Sequence, residues 1–107
     1  MPIVELNATI FDQTIASHPL LVIDFWAQWC GPCKTFGKIM TEVAKDYTDV
    51  VFASVNVEKE KALAEEFAVR SIPFVMIIRN QVAVYAESGL LSAVALRELL
   101  DQAKRIA

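Results

Sequence analysis

The chain has 107 residues, 55% of them hydrophobic and 21% charged, and its ten basic and thirteen acidic side chains leave a net charge of −3. This length predicts a single domain covering residues 1–107, and the high apolar content with few Gly and Pro excludes a disordered or collagen-like chain. A negative balance without clustered Lys and Arg argues against nonspecific binding to nucleic acid.

No membrane association is expected. The longest stretch without a charged residue runs from Gln13 to Ile23 and contains His18 and Pro19, whereas a spanning helix needs about 20 apolar residues. The first residues, Met1–Glu5, lack the basic region and apolar run of a signal peptide. We therefore expect a cytoplasmic protein.

Strands and helices are predicted to alternate along the first half of the chain. Ile3–Leu6 is a candidate edge strand, and Thr9–Ala16 is a candidate helix. The apolar run Leu20–Trp26 predicts a central strand buried on both faces, and Val50–Val57 predicts a second long strand. Between them Pro32 suits the first turn of a helix. The apolar face of that helix repeats at helical spacing, at Phe36, Ile39, Met40, Val43, Ala44 and Tyr47.

The second half continues the alternation. Glu60–Phe67 is rich in helix-forming residues, and two strands, Pro73–Ile78 and Val82–Ala86, flank a tight turn at Arg79–Gln81. Ser92 is a suitable N-cap for a last helix. The apolar face predicted for this helix comprises Leu96, Leu99, Leu100, Ala103 and Ile106.

The two cysteines, Cys30 and Cys33, lie in the sequence Trp29-Cys30-Gly31-Pro32-Cys33. A structural zinc site would need four ligands, and the chain has only one distant histidine to add to the two thiols. A purely structural disulfide would close a very short loop and would suit a reducing compartment poorly. A reversible redox pair fits the spacing best, because both thiols stay within bonding reach in either state.

Beyond the dithiol, the chain resembles the thioredoxin family over nearly its full length. The similar segments are Val22–Ala27, Trp29–Lys34, Ser71–Pro73 and the region of Gly89. The resemblance implies an α/β thioredoxin fold, in which a mixed five-stranded sheet lies between layers that contain four helices in all. It also implies that the last hairpin runs antiparallel to the rest of the sheet.

The residues themselves suggest how the dithiol would work. Cys30 precedes a helix whose N-terminal N–H groups and dipole stabilise a thiolate, so we expect it to be the nucleophile. Cys33, one turn later and more buried, would resolve the mixed disulfide. Asp24 is an acid inside an apolar strand, so burial should raise its pKa and suit it to exchange a proton with Cys33. The alternative for Asp24 is a purely structural, hydrogen-bonded carboxyl group.

The resemblance also implies a substrate-binding surface around the dithiol. It implies a cis bond between Ile72 and Pro73, with the backbone of Ile72 pairing with the substrate as an added strand. From the residues alone, Pro73 could equally be an ordinary trans proline that ends an element. The whole substrate-binding set expected beside the cysteines is Trp29, Gly31, Pro32, Ile72, Pro73, Gly89 and Leu90.

Several positions depart from the family pattern. Ser54 stands where these proteins often have a lysine beside the buried acid, which should push the pKa of Asp24 further up. Gln28 replaces an acidic residue, Lys38 a proline, and Phe74 a threonine. The hairpin lacks its usual glycine, so any positive φ is expected at Asn80.

The sequence therefore predicts a thiol–disulfide oxidoreductase that reduces protein disulfides. It has no glycine-rich dinucleotide-binding pattern, so we expect no cofactor and a separate reductase, similar to thioredoxin reductase, as electron donor. Its partners would be disulfide-containing client proteins, and it would act as a monomer. Two alternatives stay open: a disulfide oxidase or isomerase, and a docking module whose dithiol is incidental.

Overall fold

The computed structural model describes residues 3–106, so Met1, Pro2 and Ala107 of the predicted domain lie outside the described residues. Within residues 3–106, five strands and four helices alternate, except that the last two strands follow each other directly. In order they are β1 (Val4–Glu5), α1 (Phe11–Ser17), β2 (Leu20–Trp26), α2 (Gly31–Ala44), β3 (Val51–Asn56), α3 (Lys61–Glu66), β4 (Phe74–Arg79), β5 (Val82–Ser88) and α4 (Ala93–Lys104).

The strands form one mixed sheet in the order β1-β3-β2-β4-β5. Strand β3 is parallel to β1 and β2, whereas β4 is antiparallel to both of its neighbours. Strand β2 is thus central, as predicted, and its register places Asp24 beside Ser54 on one side and Val75 on the other. The hairpin β4-β5 completes the sheet at the edge opposite β1.

The central strand separates two hydrophobic cores. Because successive strand residues point to opposite faces, Leu20 and Val22 join the core beneath α2 and α4, whereas Leu21, Ile23 and Phe25 join the core beneath α1 and α3. The residues Leu20–Phe25 are all buried. A strand covered on both faces cannot alternate apolar with polar residues, and this accounts for much of the high apolar content.

Most predicted elements are confirmed with shifts of one or two residues at their ends. Ser92 is the N-cap of α4, and its side chain accepts a hydrogen bond from the amide of Ala95 at 3.1 Å. The apolar face of α4 ends earlier than expected, because the helix stops at Lys104 and Ile106 beyond it is 43% exposed.

The hairpin turn corrects the expectation for Asn80. Positive φ is not confined to that residue: Asn80 has φ 51° and Gln81 has φ 69°. A two-residue hairpin turn of the type that matches strand twist requires positive φ at both central positions. Gln81 therefore adopts a backbone conformation that glycine would adopt more easily.

Candidate functional site

The dithiol is built where β2 ends and α2 begins. Cys30 is the N-cap of this 14-residue helix, with Gly31 and Pro32 as its first residues. Proline at this position loses no hydrogen bond, since the first amides of a helix have no partner within it. The Cys30 sulfur accepts a hydrogen bond from the amide of Cys33 at 3.2 Å. The sulfur therefore lies at the positive end of the helix dipole.

Cys30 and Cys33 form a disulfide, with their Cα atoms 5.3 Å apart. Cys33 was expected to be more buried than Cys30; in this disulfide form the two residues are almost equally buried, with 3% of Cys33 and 4% of Cys30 exposed. The described residues contain no other cysteine and no group of three side chains that could hold a metal ion.

Asp24 is a buried acid behind the disulfide. Its exposure is only 3%, and its Oδ1 atom has no hydrogen-bond partner among residues 3–106. Burial raises the pKa of Asp24 from 3.8 to about 7, because the ionised carboxylate loses its hydration. Desolvation is the one cause that shifts this pKa appreciably. The carboxyl group is thus able to gain and lose a proton near neutral pH.

Asp24 and Cys33 line the same small cavity, whose volume is about 240 Å³. Ser54, the register partner of Asp24, also lines it, together with Trp26 and Lys34. Trp26 therefore lies close to both Asp24 and Cys33. The position of Ser54 agrees with the sequence comparison that placed it beside the acid, and no lysine from β3 lowers the pKa of Asp24.

The loop before β4 approaches the dithiol from the other side. The bond between Ile72 and Pro73 is cis, and the Ile72 carbonyl oxygen lies 3.9 Å from the Cys30 sulfur. The Pro73 carbonyl accepts a hydrogen bond from the amide of Gly89 at 2.8 Å, which ties the two loops together. Among the described residues, no backbone hydrogen bond is made by the amide or carbonyl of Ile72. The backbone of Ile72 is therefore not paired with any strand of the sheet.

Trp29 and Ile72 both line an open groove of about 380 Å³ beside the dithiol. Trp29 is 69% exposed and Leu90 is 49% exposed, and Gly31, Pro32 and Gly89 are exposed as well. The structure thus brings Trp29, Ile72 and the two cysteines together, with Gly89 joined to them through Pro73. Leu90 follows Gly89 along the chain but does not line the groove.

Sequence reasoning missed part of this groove. Its remaining lining residues are Val57, Val69, Arg70 and Ser71. Three of them, Val69, Arg70 and Ser71, immediately precede Ile72. Because Ile72 was already expected at the site, its neighbours in the sequence could have been predicted to lie there too. Val57 follows the end of β3 and reaches the groove only through the folding of the sheet.

Fold and site together define a class of protein: a thiol–disulfide oxidoreductase with its dithiol at the start of a helix that follows the central strand. No helix in residues 3–106 is long and apolar enough to cross a membrane.

Comparison with known proteins agrees with this class. The sequence profile of the thioredoxin family matches residues 2–102. A Streptomyces coelicolor relative whose name places it among the thioredoxins is 45% identical over 103 residues, which cover 96% of this chain and 77% of the relative. A thioredoxin of Buchnera aphidicola from Acyrthosiphon pisum is 34% identical, with 94% of each chain covered.

Solved structures show the same likeness. A mutant thioredoxin from Halobacterium salinarum superposes with a TM-score of 0.89 at 26% identity, covering 97% of this chain and 92% of that one. Plasmodium falciparum thioredoxin superposes with a TM-score of 0.85 at 30% identity, covering 94% and 98%. The chain belongs to the thioredoxin family and is a protein-disulfide reductase, whose partners are proteins with disulfides.

Proposed function

We propose that Cys30 and Cys33 divide the reduction of a client disulfide between them. The Cys30 thiolate attacks one sulfur of the client disulfide and forms a mixed disulfide with it. The client's own S–S bond breaks at the same time, and its second sulfur leaves as a thiolate. The Cys33 thiolate then attacks the Cys30 sulfur, which forms the Cys30–Cys33 disulfide and releases the first client sulfur as a thiolate. The client gains two electrons and the protein loses two.

Cys30 is the nucleophile because its surroundings favour the ionised thiol. Its sulfur caps α2 and accepts the amide hydrogen of Cys33 at 3.2 Å. In the reduced protein these same donors face the thiolate, and a nearby positive dipole lowers a thiol pKa. Cys33 lies within α2 and turns toward the cavity that contains Asp24.

Asp24 is the proton acceptor for Cys33. The Cys33 thiol must lose its proton before it can attack the mixed disulfide, and a carboxylate with a pKa of about 7 can accept that proton at neutral pH. The cavity that the two side chains share is roomy enough for a water molecule to carry the proton. When the dithiol is regenerated, the proton returns by the same route.

Clients dock over the exposed residues around the disulfide. The open amide and carbonyl of Ile72 would pair with an extended client segment, while Trp29 supplies apolar contact in the groove. Gly31, Pro32, Gly89 and Leu90 are exposed and form the rest of the contact surface. The buried Pro73 holds the loop in place through its hydrogen bond from Gly89.

A separate reductase, similar to thioredoxin reductase, would regenerate the dithiol, since the proposed site exchanges electrons only through sulfur. We propose that the protein acts as a monomer in a reducing compartment such as the cytoplasm. The dithiol and the client groove come from one chain, and a reductant needs a compartment that keeps it reduced.

The observation that carries this proposal is the Cys30 sulfur at the N-terminus of α2, 3.9 Å from the open carbonyl of Ile72. The test is trapping of the mixed disulfide with insulin as client. Cys33→Ser should accumulate a covalent complex through Cys30, and Cys30→Ser should not. Accumulation in Cys30→Ser but not in Cys33→Ser would reverse the assigned roles.

A further inference from the structure

We infer that the groove beside the dithiol selects clients with an acidic side chain about two residues from the attacked cysteine, and that Arg70 is the residue that recognises it. This inference rests on the proposed docking of clients along Ile72. It adds to that proposal a chemical class of client: extended segments with a carboxylate close to the disulfide.

Within residues 3–106, Arg70 is the one charged residue that lines the groove. Four apolar side chains make up most of the remaining lining, at Trp29, Val57, Val69 and Ile72. Arg70 is exposed and makes no ion pair or side-chain hydrogen bond with any residue in the range 3–106. Its guanidinium is therefore free to bind a carboxylate brought in by a client, in the paired geometry that Arg and carboxylate favour.

The spacing of Arg70 fixes where that carboxylate would lie. Arg70 precedes Ile72 by two residues and lines the same groove, and an extended client segment advances by about 3.3 Å per residue. The carbonyl of Ile72 lies 3.9 Å from the Cys30 sulfur, so the attacked client cysteine must lie close to Ile72. A client strand running along this backbone would then bring a side chain about two residues away next to Arg70, on the same face of the strand.

The charges around the dithiol support the same preference. The three segments around it, residues 25–41, 67–75 and 88–92, carry three basic residues, while Asp24, Glu42, Glu66 and Glu87 lie directly outside their ends. The basic residues are Lys34, Lys38 and Arg70, all exposed. These exposed basic side chains favour the encounter of an acidic client with the protein.

Acidic residues close in sequence to the groove and to Gly89 do not form ion pairs with Arg70. Glu65 and Glu66 end α3 just before the groove, Glu58 follows Val57, and Glu87 precedes Gly89. None of them lines the groove or forms an ion pair with Arg70. The site for a client carboxylate is therefore not taken by a carboxylate of the protein itself.

The test compares peptides that differ in one side chain. Each peptide contains one cysteine joined by a disulfide to the same chromogenic thiol, with Glu, Gln or Lys two residues to either side. The second-order rate constant for release of that thiol by the pre-reduced protein is measured for each peptide at low and at high salt. Each rate constant is then divided by the rate constant for reduction of the same peptide by dithiothreitol. This normalisation removes the effect that the neighbouring side chain has on the reactivity of the peptide disulfide itself.

For the wild-type protein the normalised rate should be about two- to fivefold higher with Glu than with Gln on one side of the cysteine, as for an exposed ion pair. The Lys peptide should react more slowly than the Gln peptide, and salt should shrink both differences. Arg70→Gln should abolish the preference, and Arg70→Glu should reverse it. Arg105→Gln is the matched control, because it removes an exposed charge outside the three segments around the dithiol.

Equal normalised rates for the Glu, Gln and Lys peptides would overturn the inference, as would a Glu preference that persists in Arg70→Gln. Both results leave the proposed reduction mechanism intact, provided that every variant still reduces the Gln peptide. If the wild-type protein reduced none of the peptides, the mechanism itself would fail and the specificity with it.

Discussion

Replacing Asp24 by Asn should stabilise the folded protein at alkaline pH and have little effect at low pH. The buried carboxyl group has a pKa of about 7 in the folded chain, against 3.8 for an ordinary Asp. Each unit of difference corresponds to about 1.4 kcal/mol, so ionisation of Asp24 costs the folded state about 4 kcal/mol. Asn has nearly the same shape and cannot ionise.

The pH window follows from the direction of the shift. The folded state binds the Asp24 proton more tightly than the unfolded state does, so between pH 3.8 and about 7 unfolding releases a proton. The stability contributed by the protonated acid is therefore complete below pH 3.8, and it is lost as the pH rises through about 7. Above that pH the difference between Asp24→Asn and the wild type should level off at about 4 kcal/mol.

The measurement is urea unfolding of the oxidised proteins at intervals from pH 4 to pH 9, with the free energy of unfolding extrapolated to water. Glu98→Gln is the matched control, because Glu98 is an exposed acid that forms no ion pair in the described structure. Its stability should follow that of the wild type within about 0.5 kcal/mol. A difference between Asp24→Asn and the wild type that stays constant across this pH range would refute the reasoning.

Three further substitutions test local features of the fold. Ser92→Ala should lower the free energy of unfolding by about 1 kcal/mol in urea titrations, since the amide of Ala95 loses its cap. Gln81→Gly should raise the melting temperature by relieving a φ of 69°; the gain would be about 0.5–1 kcal/mol, and a loss of stability would contradict the assigned turn. Tyr47→Phe removes a 2.8 Å hydrogen bond to Asp101 and should cost about 1 kcal/mol by urea unfolding; an unchanged value would show that this bond contributes nothing.

The sequence was sufficient to predict the central strand and the position of the dithiol. Leu20–Trp26 matched the observed strand in full because a strand covered on both faces leaves an unbroken apolar run. The helix after Cys30 was equally clear, since proline is tolerated in the first turn and the apolar side chains then recur at helical spacing. Asp24 was recognisable because a carboxyl group inside such a run must change its pKa.

Other features depend on contacts that no local pattern contains. The cis bond before Pro73 was expected only from the family resemblance, because most bonds before proline are trans. Strand β5 has the apolar composition of a buried strand, yet Val82 is 61% exposed at the edge of the sheet. Arg70 and Val57 line the same groove but come from separate parts of the chain. Their proximity depends on the fold and could not be predicted from the sequence.

The reduction potential of the Cys30–Cys33 pair tests the central claim most directly. The oxidised and reduced forms would be equilibrated with glutathione or dithiothreitol buffers of defined ratio, and the fraction of disulfide measured by thiol alkylation. A protein that works as a reductant should have a potential near or below the cytosolic glutathione poise, at about −220 mV or lower. A value near −120 to −180 mV, in the range of disulfide oxidases and isomerases, would contradict the account.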